Sequence, residues 1–199
     1  MAKNTKIKVL PPDHGGEQPH QLHLYYGFGK GKTTCCMGLI VRALGAGHRV
    51  ALVQFDKGYD GENEHYAERR ILRGLKSIDM VPTGCERMLD DGSFRFGAGA
   101  EDIKEAHRGL ESARAFVQSG QHDLLVLDEI LAAVAYDLLV KEDVMSLISL
   151  WQEARPCELV MSGHKVWDDL VEQADLVTEM RKVKHYYARG VPARAGVEF

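Results

Sequence analysis

The sequence predicts an α/β fold, a mostly parallel sheet with helices on both faces, and three observations carry that prediction. Short apolar runs such as "ALVQF" and "LLVL" recur along the chain. Helical patterns with one apolar face separate them. A glycine-rich turn, "GFGKGKTT" at residues 27–34, joins the first such run to the first helix. Strands that are apolar throughout belong in a sheet covered on both sides, and crossover helices return the chain to the same edge of a parallel sheet.

The elements follow in order. Residues 1–20 contain "PPDHGGEQPH", which offers little apolar surface to offset the entropy of ordering, and they read as a mobile arm or a lid. Residues 21–199 read as a single domain. "LHLYY" is the first strand, and the first helix runs from Lys32 to about Leu44. "RVALVQF" is the second strand, followed by a charged helix around residues 62–75 and then a third strand, "SIDMVP". The span 84–101, "GCERMLDDGSFRFGAGAE", is dense in glycine and has no periodicity, as a long functional loop would be. Ile103, Ala106, Leu110, Ala113 and Val117 then recur at the three-four spacing of a helix that buries one face. "DLLVLDE" is the fourth strand. Val144, Leu147, Ile148 and Trp151 mark another helix, and "CELVMSG" and "ADLVTEM" are the last two strands.

Composition narrows the function classes. A chain of 199 residues, 45% hydrophobic and 27% charged, has enough interior for one compact domain. The net charge of −4 and the scatter of basic residues among acids argue against a nucleic-acid track and for a small ligand. Cys35, Cys36, Cys85 and Cys157 have neither metal-ligand spacing nor a disulfide pattern and read as reduced, intracellular thiols. His14 and His20 lack a third ligand at useful spacing for a metal. No apolar run approaches the roughly 20 residues needed to cross a bilayer. A cytoplasmic protein is expected.

The turn at residues 27–34 carries the chemistry. Gly27, Gly29 and Gly31 allow backbone N–H groups to converge on phosphate oxygens, around Phe28 and Lys30, and the helix start adds partial positive charge. Lys32 can neutralise phosphate, Thr33 can present its hydroxyl to Mg²⁺, and Thr34 completes the loop. The alternative is a glycine-rich turn without a ligand. Downstream, Asp128 ends a buried strand where it can hold Mg²⁺, directly or through water, and Glu129 can position a ligand. Taken alone, the two acids also suit the cap of the next helix. Tyr26 holds a place where the usual phosphate loop has glycine.

"GKGKTT", Arg42 in "VRALGAGHRV", "VQFDKG", "LDEILAAVAYDLL" and the closing "ADLVTEMRKVKHYYARGVPARAGVEF" together resemble the P-loop ATP:corrinoid adenosyltransferases, over residues 22–199. That family also lacks glycine at the place of Tyr26. The resemblance implies a RecA-like P-loop NTPase fold, a homodimer, and ATP and a corrinoid as substrates with Mg²⁺ as cofactor. It implies that ATP lies reversed along the loop, that cobalt(I) attacks the ribose 5′-carbon, and that tripolyphosphate leaves. Lys32, Thr33 and Glu129 would then serve catalysis, and Thr33 and Asp128 would hold Mg²⁺. Residues 27–34 and Arg42 would bind nucleotide, although an exposed helical arginine needs no such role. A flavoprotein is the implied reductant. Lys184 and His185 in the tail would face the corrinoid side chains or merely bracket a strand.

Departures from the family pattern concern the corrinoid. Members displace the lower axial ligand of cobalt(II) with bulky apolar side chains after a Thr-Gly pair. Here Thr83-Gly84 is followed by Cys85, Glu86, Arg87 and Met88. Phe94 and Phe96 are candidate substitutes, or simply pack a lid. Phe28 replaces a small polar residue and His164 a common arginine. Two other functions remain open: a nucleotide-dependent corrinoid carrier or regulator, and a P-loop ATPase or kinase acting on another small molecule.

Overall fold

The computed structural model describes residues 19–58, 61–62, 64–87, 95 and 97–199. The predicted arm at 1–20 lies almost wholly outside the described residues, as do His14, Met88, Phe94 and Phe96.

Six strands form one parallel sheet: β1 (Leu22–Tyr26), β2 (Val50–Gln54), β3 (Ile78–Pro82), β4 (Leu124–Asp128), β5 (Glu158–Gly163) and β6 (Leu176–Glu179). Their order across the sheet is β3-β2-β4-β5-β1-β6. One strand, β5, therefore stands between the strand that feeds the glycine-rich turn and the strand that ends in Asp128, the RecA-like P-loop arrangement. All six strands coincide with the apolar runs read from the sequence. β2, β4 and most of β5 are buried along their length, because helices cover both faces.

Each face has its own core. On one, Tyr25, Leu52, Val126 and Val160 pack with Cys36 and Ile40 of α1 (Lys32–Gly45). On the other, Leu24, Val53, Leu127 and Met161 pack with α3 (Ala100–Ser119) and α5 (Lys141–Ala154). Successive strand residues point to opposite faces, which divides these side chains between the two cores. Val144, Leu147, Ile148 and Trp151 are buried as their spacing predicts, and the Trp151 indole N–H donates to Cys157 O at 2.8 Å. Cys36 and Cys157 are likewise packed inside, and burial pushes the Cys157 thiol up to about 12.

Three local readings change. Ile103 is exposed, because Asp102 takes the buried place in the first turn of α3, where its carboxylate accepts from Gly99 N–H at 2.9 Å and from Arg95. The charged helix predicted around 62–75 is limited to α2 (Ala67–Leu72). Glu64 accounts for its late start: the carboxylate accepts from the backbone of Tyr66 and from Arg69 and Arg73, which favours a turn over a helical start. Two six-residue helices, α4 (Ile130–Ala135) and α6 (Asp168–Gln173), are additions. Too few residues lie in each for a helical period to emerge.

Candidate functional site

The site lies at the carboxyl edge of the sheet, where β1, β2, β4 and β5 end. In parallel α/β sheets this edge is where ligands bind. The turn between β1 and α1 has Gly27 at φ 113° and Gly31 at φ 121°, conformations that suit glycine. Gly27 and Gly29 also answer to packing. A Cβ on Gly29 would lie 2.5 Å from Met180 O, just past β6, and one on Gly27 would lie 2.6 Å from the same atom. Phosphate chemistry alone therefore does not account for the glycine pattern.

Lys32 is buried and folds back over its own loop, donating to Gly27 O at 2.9 Å and Gly29 O at 3.2 Å. Thr33 Oγ1 donates to Asp128 Oδ1 at 3.1 Å, so the hydroxyl and the carboxylate predicted as metal partners are brought together from positions 95 residues apart. Asp128 is fully buried. It also accepts from Ser162 Oγ at 2.8 Å and Gln54 Nε2 at 3.3 Å. Lys57 Nζ donates to Asp128 Oδ2 at 2.6 Å and to Thr33 Oγ1 at 2.8 Å. Burial alone would raise the Asp128 carboxyl, but Lys57 and these hydrogen bonds outweigh it and hold the group below its ordinary value. For Lys57 too, burial is overcome, here by the charges of Asp128 and Glu129, and the ammonium is held above its ordinary value.

Glu129 adopts a left-handed conformation, φ 65°, as the residue that leads into α4. Its backbone N–H donates to Ser162 Oγ at 2.9 Å, while its side-chain Oε2 is buried without a partner. Burial and the neighbouring Asp128 charge both raise its carboxyl. A left-handed backbone and an unpartnered buried oxygen are each uncommon for such a residue, and Glu129 has both.

Lys57 and Ser162 were not singled out from the sequence. Lys57 lies in "VQFDKG", and the signal that could have found it is its place just past the carboxyl end of β2, beside the acid-ended β4.

Lys30 points away from this cluster. It donates to Tyr186 Oη at 3.0 Å, Val197 O at 2.8 Å and Glu198 Oε1 at 2.5 Å, tying the tail to the loop. A cavity of about 270 Å³ lies between Thr33, Thr34, Met37 and residues 196–199. Arg42 is not brought to the loop: it is exposed in the last turn of α1, about 15 Å along the helix axis from Lys32. Lys184 is exposed, and His185 Nδ1 accepts from Tyr187 N–H at 3.1 Å in the short 3₁₀ turn at Tyr186–Arg189.

The two substitutions beside the loop meet each other. Phe28 stacks on His164, with ring centroids 5.7 Å apart and planes 13° apart, and His164 Nδ1 lies 3.1 Å from Tyr136 Oη. Burial, then the nearby Lys32 charge, lowers the His164 pKa and favours the neutral ring.

Beyond β3, Arg87 occupies the region where an apolar wedge was expected, and it is ion-paired. Its Nε lies 2.8 Å and its Nη2 2.6 Å from Asp56 Oδ1, and Nη1 donates to Gly97 O at 2.7 Å. Arg95 grips both oxygens of Asp102 at 2.8 Å. Asp56, Tyr66, Arg87, Arg95 and Tyr136 line a cavity of about 660 Å³. Residue 58 links this region to the phosphate end: a Cβ there would lie 1.8 Å from Gly84 O.

Among the described residues no helix is long and apolar enough to cross a membrane. The flagellar accessory protein FlaH from Methanocaldococcus jannaschii superposes with a TM-score of 0.50 at 16% identity, covering 83% of this chain and 73% of FlaH, and so shares the fold. Among curated proteins, the corrinoid adenosyltransferase of Sinorhizobium sp. is 31% identical over 175 residues, which is 87% of this chain and 77% of that protein. That of Escherichia coli K12 is 30% identical over 178 residues, 88% of this chain and 84% of its own length. The protein named corrinoid adenosyltransferase CobA in Salmonella typhimurium is 32% identical over 185 residues, with 88% and 84% covered. The family model for ATP:corrinoid adenosyltransferase BtuR/CobO/CobP matches residues 18–199, and the chain belongs to that family.

Proposed function

We propose that this chain transfers the 5′-deoxyadenosyl group of ATP to the cobalt(I) of a reduced corrinoid and releases tripolyphosphate. The carrying observation is the convergence of Lys32, Thr33 and buried, ionised Asp128 at the glycine-rich loop. In this reaction the cobalt(I) electron pair forms the cobalt–carbon bond while the bond from the 5′-carbon to the phosphate oxygen breaks. The electron pair of that bond leaves with tripolyphosphate. No protein nucleophile is required, and burial raises the thiols of Cys36 and Cys157, which are packed inside.

The loop's work is to hold the departing chain. Lys32, released from the carbonyls of Gly27 and Gly29, neutralises charge that builds on the leaving oxygens. The N–H groups of residues 27–34 and the start of α1 add to this. Thr33 and Asp128 fit Mg²⁺ in their chemistry, a hydroxyl and an ionised carboxylate 3.1 Å apart, and would hold it. Bound there, Mg²⁺ supplies charge stabilisation for the polyphosphate. The unpartnered Oε2 of Glu129 accepts a hydrogen bond from a donor on the substrate and so fixes its orientation.

A homodimer, a cytoplasmic location and a flavoprotein reductant belong to the same reading. The ion-paired Arg87 favours keeping a second one, a corrinoid carrier without chemistry. Incubating the protein with ATP, Mg²⁺ and chemically reduced cobalamin separates the possibilities. Tripolyphosphate and a light-sensitive cobalt–carbon absorbance are expected. ADP would indicate an ATPase or kinase instead, and no product a carrier.

A further inference from the structure

We infer that Lys57 is the resident counter-ion of this site, which Mg²⁺ displaces from Asp128 and Thr33 when polyphosphate binds and which then moves onto the polyphosphate. The inference rests on the phosphate-loop reading above, but not on the identity of the group that accepts adenosyl.

Lys57 Nζ is bonded to the same two side chains that suit a hard divalent cation, at 2.6 Å and 2.8 Å. Its side chain is only 12% exposed, and that of Asp128 is fully buried. An ionised carboxylate at such depth needs a compensating charge, and Lys57 forms the ion pair that supplies it.

Asp128 is also full. Thr33 and Ser162 donate to Oδ1, and Gln54 and Lys57 to Oδ2, which together use the roughly four acceptor sites of a carboxylate. For a metal to reach Asp128, one of these donors must leave.

Their own partners decide which. Ser162 Oγ accepts from Glu129 N–H at 2.9 Å, which fixes the start of α4. Gln54 Oε1 accepts from Arg69 Nε at 2.6 Å, and Arg69 is buried and paired with Glu64. Thr33 would itself be a metal partner. Lys57 alone among the four combines a long flexible stem with a positive charge that a divalent cation would repel from the same oxygens. Once displaced, the ammonium is beside the loop that holds a polyanion, where its charge adds to that of Lys32.

Manganese binding to the protein without nucleotide, followed by electron paramagnetic resonance, tests this with no reaction involved. Lys57→Met is expected to bind Mn²⁺ at least about tenfold more tightly than wild type, with the gain abolished by adding Asp128→Asn. Equal affinity in wild type and Lys57→Met, or a gain that survives Asp128→Asn, overturns the inference.

A second measurement needs no variant and stands if Lys57→Met does not fold. In ¹⁵N-lysine-labelled wild type, Mg²⁺ with inorganic tripolyphosphate is expected to shift the Lys57 ammonium resonance, and tripolyphosphate with EDTA is not. A resonance that stays in place with Mg²⁺, or moves equally without it, overturns the inference. Missing adenosyl product in the earlier assay would count against the reaction and leave both binding results standing.

Discussion

The glycine-rich loop and the segment after β3 sit at the same end of the sheet but are held in opposite ways. At the loop, the charges are enclosed: Asp128, Lys57, Gln54 and Ser162 are supplied by three adjacent strands or the turns just beyond them. Around the segment after β3, the largely buried Arg87 and Asp102 pair with the more exposed Asp56 and Arg95 beside a cavity. Enclosed charges tolerate little change, because removing one partner strands another without compensation. Where one partner is partly exposed, as Arg95 is, replacing that partner costs less. The departures read from the sequence fall in both regions, Phe28 in the loop and Cys85 to Arg87 after Thr83-Gly84.

The largest effect expected is at the loop. Lys32→Ala should slow tripolyphosphate release by on the order of 10³-fold, as loss of a charge placed at the leaving group does elsewhere. A decrease under about tenfold would mean that the enclosed end is not where the leaving group sits. Gly58→Ala strikes the seam between the regions and should cost about 3 kcal/mol in urea unfolding, since its Cβ would collide with backbone at Gly84. Near-wild-type stability would show that the two regions move apart freely.

Asp102→Asn probes the buried partner of the second region's ion pairs and should cost about 2 kcal/mol at pH 7. Arg95, opposed only in part by burial, holds the Asp102 carboxyl well below the usual carboxylate range. Its contribution is therefore complete above pH of about 4 and is lost as pH falls toward the folded-state value. The gap between wild type and variant should narrow in acid; a constant gap would refute the ionic account. The smallest effect concerns the aromatic residues of the same segment. Phe94→Ala with Phe96→Ala should lower adenosylation from cobalt(II) with a reductant several-fold and leave turnover of prepared cobalt(I) unchanged. Equal loss in both assays, or no loss, would remove them from axial-ligand displacement.

Most of the fold was legible because strand signals are local. "LLVLD" and "LHLYY" announce themselves as buried strands within five residues. The partnership of Thr33 with Asp128 was legible as chemistry, since a phosphate loop needs an acid. Lys57 was not: it lies 71 residues before Asp128 and meets it only through strand order, which no local pattern encodes. Phe28 and His164 read as two unrelated substitutions until β1 and β5 place their ends side by side and the rings stack. For Gly27 and Gly29 the phosphate reading is not the whole account, because the backbone of Met180 crowds them from the far end of the chain.

The insertion of β5 between the loop strand and the acid strand has a practical corollary for transplanting this site. Ser162, on that middle strand, both steadies the acid and anchors the helix beyond it. A motif search would pass over so ordinary a residue. Copying the loop and the acid onto another parallel scaffold would carry two of the three parts, and the graft would need a hydroxyl at the same height on the intervening strand to stand firm.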